Sequence, residues 1–173
     1  KDEEQIFNSV EEHQNKATQT IFTKEAIDTT SNENLVENIF ESLYAIHVAP
    51  NPQEYETVLT WNKSRQAIYV VHMFKGEVNN GGYNQFYNNP GVQYYKDLPD
   101  ALNLIGAHKF AHLTKRANET FEKEYERVTK YQEKFVDNPL EKFEDEFFDL
   151  NKTKNLEKLL VDYIRKHKAE LVD

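Results

Sequence analysis

The sequence has no cysteine, which excludes disulfide bonds, thiolate metal sites and cysteine nucleophiles. It also has no apolar run near the roughly 18 residues that a membrane-spanning helix requires, so no span is expected. Glycine is scarce: the chain holds five, and two of them are adjacent at Gly81 and Gly82. The cytoplasm is the expected location, although a chain without cysteine fits either compartment and a signal segment removed before Lys1 stays open.

Basic residues are outnumbered, with 21 Lys and Arg against 30 Asp and Glu, which gives a net charge of −9. Such a charge opposes binding to nucleic acid or to an anionic membrane and favours a basic protein partner. Solubility alone is the alternative explanation. We therefore expect a basic protein partner, no nucleic acid and no membrane, and a homodimer stays open.

Aromatic residues are abundant by contrast, at 13% of the 173 residues, with 10 Tyr and 11 Phe. A chain of this length buries roughly 70% of the surface that its unfolded form exposes, so it needs no metal or disulfide for stability. The apolar residues of most segments recur at helical spacing. We predict an all-α protein, a single globular multi-helix domain with an aromatic-rich core over residues 31–173, after a polar, partly ordered lead-in over residues 1–30.

Capping signals predict where two of the helices begin and end. Thr30 and Glu33 form a capping-box pattern that opens the first helix of the domain. Ser64 is expected to cap the next long helix, and Gly76 is expected to close it. Residues 68–71 could form a strand, but we assign them to this helix because no second strand-like run could satisfy a strand's backbone.

The residues between Glu77 and Asn89 contain the adjacent glycines, flanked by asparagines. Gly-Gly beside Asn supplies positive-φ backbone and local hydrogen bonds, which is typical of a sharp corner between helices. We expect a short helix carrying aromatic residues to follow the corner and to stop at Asn89, just before Pro90.

A helix predicted from about Ala107 to Val136 carries an acidic stripe opposite its apolar face. At 100° per residue the stripe consists of five acids: Glu119, Glu122, Glu126, Glu133 and Asp137. A second row, at i, i+4 and i+8 on a helix that starts at Pro139, consists of Glu141, Asp145 and Asp149. Both rows are candidates for partner binding, and the alternative is a solvated surface with ordinary ion pairs.

His108 and His112 are spaced i, i+4 on the same predicted helix, which is compatible with zinc or nickel binding. No motif supplies a third ligand. The chain also lacks a nucleophile elbow, a phosphate-binding loop and a dinucleotide fingerprint. We therefore predict no enzyme, no metal and no cofactor.

The corner lies in a longer run, Glu77-Val78-Asn79-Asn80-Gly81-Gly82-Tyr83-Asn84-Gln85-Phe86, which resembles the signature of a bacterial DNA-mimic protein family. The likeness extends over residues 66–173. It implies an all-helical protein whose surface carboxylates imitate DNA phosphates and so occupy a DNA-binding protein, such as a transcription regulator. The motif itself is predicted to be structural, through Glu77, Asn79, Asn80, Gly81, Gly82, Tyr83, Gln85 and Phe86, because Gly-Gly cannot present charge.

Three functional hypotheses remain. The first is a non-enzymatic acidic protein that binds a basic protein surface as a DNA mimic. The second is an immunity or antitoxin-like inhibitor of a toxin such as a nuclease, because carboxylates complementary to a basic cleft would produce the same sequence pattern. The third is a metal-dependent enzyme that uses His108 and His112.

Overall fold

The computed structural model describes residues 22–130 and 137–172. Within these ranges the secondary structure is entirely helical, which confirms the all-α prediction. The described residues form nine α-helices: α1 Lys24–Thr29, α2 Asn32–Leu43, α3 Glu54–Leu59, α4 Lys63–Asn88, α5 Leu98–Leu104, α6 His108–Lys123, α7 Tyr125–Thr129, α8 Glu141–Thr153 and α9 Leu156–Lys166. A π-helical turn (Tyr44–Val48) and two 3₁₀ turns (Pro90–Tyr94 and Lys168–Glu170) complete the described elements. None of these helices is long and apolar enough to cross a membrane.

The junction between α1 and α2 differs from the predicted capping box. α2 is preceded by Ser31 in the N-cap position, whereas Thr30 is the C-cap of α1. The Thr30 hydroxyl donates to the carbonyl of Ala26 at 2.7 Å, so it satisfies the end of α1 instead of the start of α2. The capping-box assignment was wrong because α1 competes for the same threonine.

The central element is α4, which packs against α2, α5, α7, α8 and α9. Asn62 caps it by accepting from the backbone N–H of Arg65 at 3.0 Å, while Ser64 is buried and bonds to Tyr163 at 2.6 Å. The prediction that Ser64 caps the helix was therefore wrong. Residues 68–71 are helical, as predicted.

Gly76 does not end the helix, contrary to prediction. The buried residues Val71, Phe74 and Val78 continue at helical spacing on either side of it. Because this apolar face packs into the core on both sides of Gly76, the helix runs on to the corner at Gly81 and Gly82.

The predicted helix from Ala107 to Val136 is also wrong within the described residues. α6 ends at Lys123, and Glu124 has φ −110° and ψ 27° before α7 begins at Tyr125. The buried Val128 of α7 packs towards α4, and its carbonyl accepts from Asn88 Nδ2 at 3.2 Å. A straight continuation of α6 would have to give up this contact.

The core is rich in aromatic rings, as predicted. Phe74 lies at its centre, with ring centroids 5.1 Å from Phe86 and 5.8 Å from Phe147. Buried tyrosines keep their hydroxyls paired: Tyr83 is 3.1 Å from the Thr114 hydroxyl. These bonds remove the cost of burying a phenol, which is about 1–3 kcal/mol for an unpaired polar group.

Candidate functional site

The adjacent glycines form the only non-helical break inside α4 among the residues described. Gly82 has φ +74°, a conformation that L side chains rarely adopt, and a Cβ there would overlap the carboxylate of Glu144 on α8. Gly81 has φ −158°, and the three atoms nearest a Cβ there all belong to the side chain of Gln85. The predicted corner is present, and its strict requirement for glycine falls on Gly82.

One carboxylate, that of Glu77, connects the two sides of the corner. Glu77 Oε2 accepts from Gln85 Nε2 at 2.7 Å and from Asn89 Nδ2 at 2.8 Å. On the opposite side of the same segment, Tyr83 and Phe86 are fully buried in the core. The motif therefore has a buried aromatic half and a half that faces solvent.

The solvent-facing half lines a cleft between α2 and α4, of about 260 Å³. Three motif residues contribute to it, Glu77, Asn80 and Gln85. The remaining walls come from Phe40, His72, Met73 and Gly76. None of these lining residues is Lys or Arg.

His72 forms the link between the cleft and the surface of α2. Its Nε2 lies 3.2 Å from a carboxylate oxygen of Glu37, and its ring lies 4.5 Å from the ring of Phe40. Burial lowers the pKa of His72 to about 4, and the positive charge of Lys75 acts in the same direction. The nearby carboxylates would favour imidazolium, but burial outweighs them, and the ring is neutral near pH 7.

Helix α2 carries a row of three exposed acids at i, i+4 and i+8: Glu33, Glu37 and Glu41. It carries no Lys or Arg. Residues 25–62 contain seven acids and no Lys or Arg, which makes this the longest base-free stretch of the chain. The prediction from sequence missed this row because it considered only the acids on the two predicted helices after residue 107 and did not ask where bases are absent.

The predicted stripe on residues 119–137 is not one helix face. Glu119 and Glu122 lie on α6 among four bases, Glu126 lies on α7 beyond the break, and Asp137 lies outside any helix. Glu133 falls outside the described residues. The four described acids are all exposed. Their role in binding a partner stays a prediction, but the single-stripe geometry was wrong.

The second predicted row lies on α8, where Glu141, Asp145 and Asp149 are all exposed. Bases accompany it: Asp149 pairs with Lys152 at 2.7 Å, and Lys142 lies on the same helix. α6 and α8 pack side by side, and Arg116 bridges them to Glu146 at 2.9 Å. Because cations lie within and between these rows, the surface of α6 and α8 is mixed in charge.

His108 and His112 are exposed at the start of α6, with the predicted spacing. His108 Nδ1 lies 3.0 Å from Asn103 Oδ1. Across residues 22–130 and 137–172, no group of three His, Asp or Glu side chains could hold a metal ion. The geometry thus gives the metal hypothesis no support, and the absence of a metal stays a prediction.

Comparison with known proteins gives one positive result. The model of the family described as DMP19-like protein matches residues 60–167, which include all of α4 and extend to the end of α9. No curated protein and no solved structure gave a significant match. The motif and three walls of the cleft lie inside the matched range, whereas the acidic row of α2 precedes it.

Proposed function

The chain belongs to the DMP19-like protein family, and on that premise we propose that it is a DNA mimic. In this proposal it is a non-enzymatic acidic protein that occupies the basic surface of a DNA-binding protein, such as a transcription regulator. Its carboxylates take the place of phosphates, so the partner cannot bind its own DNA at the same time.

The observation that carries the proposal is the α2 row of Glu33, Glu37 and Glu41, exposed and without a base on its helix. Residues four apart on a helix are about 6 Å apart along its axis. One DNA strand carries a phosphate about every 3.4 Å. The row therefore has somewhat more than half the linear charge density of a single strand, before any contribution from neighbouring acids.

The physical consequence is an electrostatic attraction that depends on salt. Exposed charge acts mainly on the rate of encounter, and it is screened over a Debye length of about 10 Å at 0.1 M salt. A phosphate-like row should thus bind a basic groove quickly at low salt and progressively more weakly as salt increases.

The test begins with capture of partners from the native cell and identification by mass spectrometry. A captured DNA-binding protein is then mixed with its labelled duplex, and the fluorescence anisotropy is followed while this protein is added. We expect the duplex to be released at close to stoichiometric protein. Capture of a protein that does not bind DNA, or a duplex that stays bound at saturating protein, would contradict the proposal.

A further inference from the structure

We propose that the cleft between α2 and α4 receives an arginine side chain of the partner, beside the charged row. This inference rests on the proposed function and assigns a specific contact to it. It also gives Glu77, Asn80 and Gln85 of the motif a role in binding, in addition to the bonds that Glu77 accepts across the corner.

The size of the cleft suits one side chain. Its volume is about 260 Å³, whereas small-molecule pockets generally occupy roughly 300–1,000 Å³. The cleft opens to solvent between two helices, so it is reachable from a protein surface docked on α2.

The lining presents hydrogen-bond acceptors and no cation. Among the described residues Glu77 Oε2 accepts from Gln85 and Asn89, while no donor reaches Glu77 Oε1. Gln85 uses its amide N–H on Glu77, which leaves its carbonyl oxygen as an acceptor, and Asn80 is exposed at the rim. A guanidinium group has five N–H donors in a planar fork and is weakly hydrated, so it fits such a set better than an ammonium group.

The charges around the cleft favour a cation. Phe40, one wall of the cleft, lies on α2 between Glu37 and Glu41 of the acidic row. Lys75 is close enough to act on His72, but its Nζ pairs with Glu157, which offsets its charge. His72 is neutral near pH 7, so it does not repel an incoming guanidinium.

Gly76 provides an independent observation. It is helical and exposed in the interior of α4, and a Cβ at this position would meet nothing within 4 Å. Glycine destabilises a helix interior relative to alanine, and neither packing nor backbone geometry requires it here. Its effect is to leave the cleft open, which is what entry of a side chain needs.

The test is an NMR titration of the full chain with a peptide that holds three consecutive arginines between glycines. We expect saturable shifts of the side-chain amide signals of Asn80 and Gln85, and binding about tenfold weaker for the uncharged citrulline counterpart. The counterpart peptide with three lysines should bind more weakly than the arginine peptide. If the two peptides bind equally well, lysine is an alternative occupant of the cleft.

Three variants separate the cleft from the general field of the protein. Gly76→Leu fills the cleft without changing charge and should weaken peptide binding about tenfold; Glu77→Gln keeps an acceptor for Gln85 and should weaken it to a similar extent. Asp145→Asn removes the same charge from α8 and should have little effect. The proposal is overturned if the shifts occur elsewhere, or if Gly76→Leu binds like the parent.

Failure of the cleft assignment can be distinguished from failure of the proposed function. If the peptide occupies the cleft but no DNA-binding partner exists in the cell, the cleft assignment stands and the DNA-mimic role falls. If a DNA-binding partner is displaced from its DNA equally well by the parent and by Gly76→Leu, the role stands and the cleft assignment falls.

Discussion

Two acidic surfaces of this protein differ both in their number of carboxylates and in the bases that accompany them. The α2 surface has three acids in a row and no base on the helix, and it borders a cleft lined with acceptors. The α6–α8 surface is richer in acids, yet Arg116 and Lys152 pair with two of them. Each acid of the α6–α8 surface therefore contributes less to the net field than an acid of α2.

The comparison shows that charge composition does not locate a phosphate-like surface. An acid that already has a cation beside it interacts less with an external cation, and exposed ion pairs contribute only about 0–1 kcal/mol to stability. Among the described residues the α2 acids form no ion pair with Lys or Arg, although Arg165 of α9 donates to Asn32 of the same helix, so the row keeps more of its field for a partner. The places where Lys and Arg are absent are therefore as informative as the positions of the acids.

The largest expected effect is a loss of stability at the glycine corner, where α4 contacts α8. Gly82→Ala should lower the free energy of unfolding by about 2–4 kcal/mol, because it forces positive φ on alanine and displaces Glu144, which accepts from Asn84. Urea denaturation measures the change. Gly81→Ala, the matched control, should cost less, about 1 kcal/mol, because φ is not positive there and the three atoms nearest the new Cβ belong to the Gln85 side chain. Equal costs would show that the corner does not depend on the contact with α8.

A pair of charge variants compares the two surfaces directly. Glu33→Gln with Glu37→Gln and Glu41→Gln should weaken partner binding about 10- to 100-fold and flatten its salt dependence. The matched variant on α8 is Glu141→Gln with Asp145→Asn and Asp149→Asn. It also removes three charges, so the two variants have the same total charge, and it should weaken binding by less than about fivefold.

Affinity for the captured partner is measured for both triple variants at low and moderate salt. Equal losses would mean that net charge, and not the base-free arrangement on α2, governs binding. A larger loss for the α8 variant would restore the α8 row as the principal binding surface.

The α2 side should also respond to pH. The folded pKa of His72 is lowered to about 4 from 6.5, so the unfolded chain binds more protons between these values. Stability is thus fully present above about pH 6.5 and falls as the pH is lowered towards 4, with a loss of about 1–2 kcal/mol at pH 5. Urea unfolding at pH 7 and pH 5 measures it.

His72→Gln should abolish that part of the pH dependence. His108→Gln, which removes an exposed histidine from the other surface, is the matched control and should retain it. Identical pH profiles for the parent and for His72→Gln would show that burial of the imidazole does not control stability.

The smallest expected effect lies at the edge of the cleft. Gly76→Ala should stabilise the protein by about 0.5–1 kcal/mol, because α4 is helical there and the added methyl meets nothing. The matched control is Gly106→Ala, at a position equally free of contacts but with φ +81°, which should destabilise. Thermal or urea unfolding distinguishes the two signs. Destabilisation by Gly76→Ala would imply that the helix is strained at this point.

Features that depend on neighbouring residues were predictable. The helical class follows from apolar spacing, and the break at Gly81-Gly82 follows from the few residues that tolerate positive φ. Boundaries that depend on remote contacts were not predictable. Thr30 caps α1 instead of α2, and α6 breaks at Glu124 because Val128 packs towards α4.

The features of the candidate site also divide into those that could be predicted from the sequence and those that could not. The acids of α8 were predicted from spacing alone, and they are exposed on one helix as expected. The acidic row of α2 was also visible in the sequence, as a long stretch without Lys or Arg, but the prediction considered only the acids on the two predicted helices after residue 107. The cleft could not have been predicted, because Phe40 and Glu77 meet only when α2 packs on α4.

The sequence by itself determined that the chain is helical, rich in buried rings, acidic and bent at a pair of glycines, since each of these properties depends on composition or on residues within one or two turns. The tertiary structure decided which carboxylates remain uncompensated and which polar side chains of the motif share a cleft with α2. Charge compensation and concavity depend on distances between elements far apart in the chain, and only packing sets those distances.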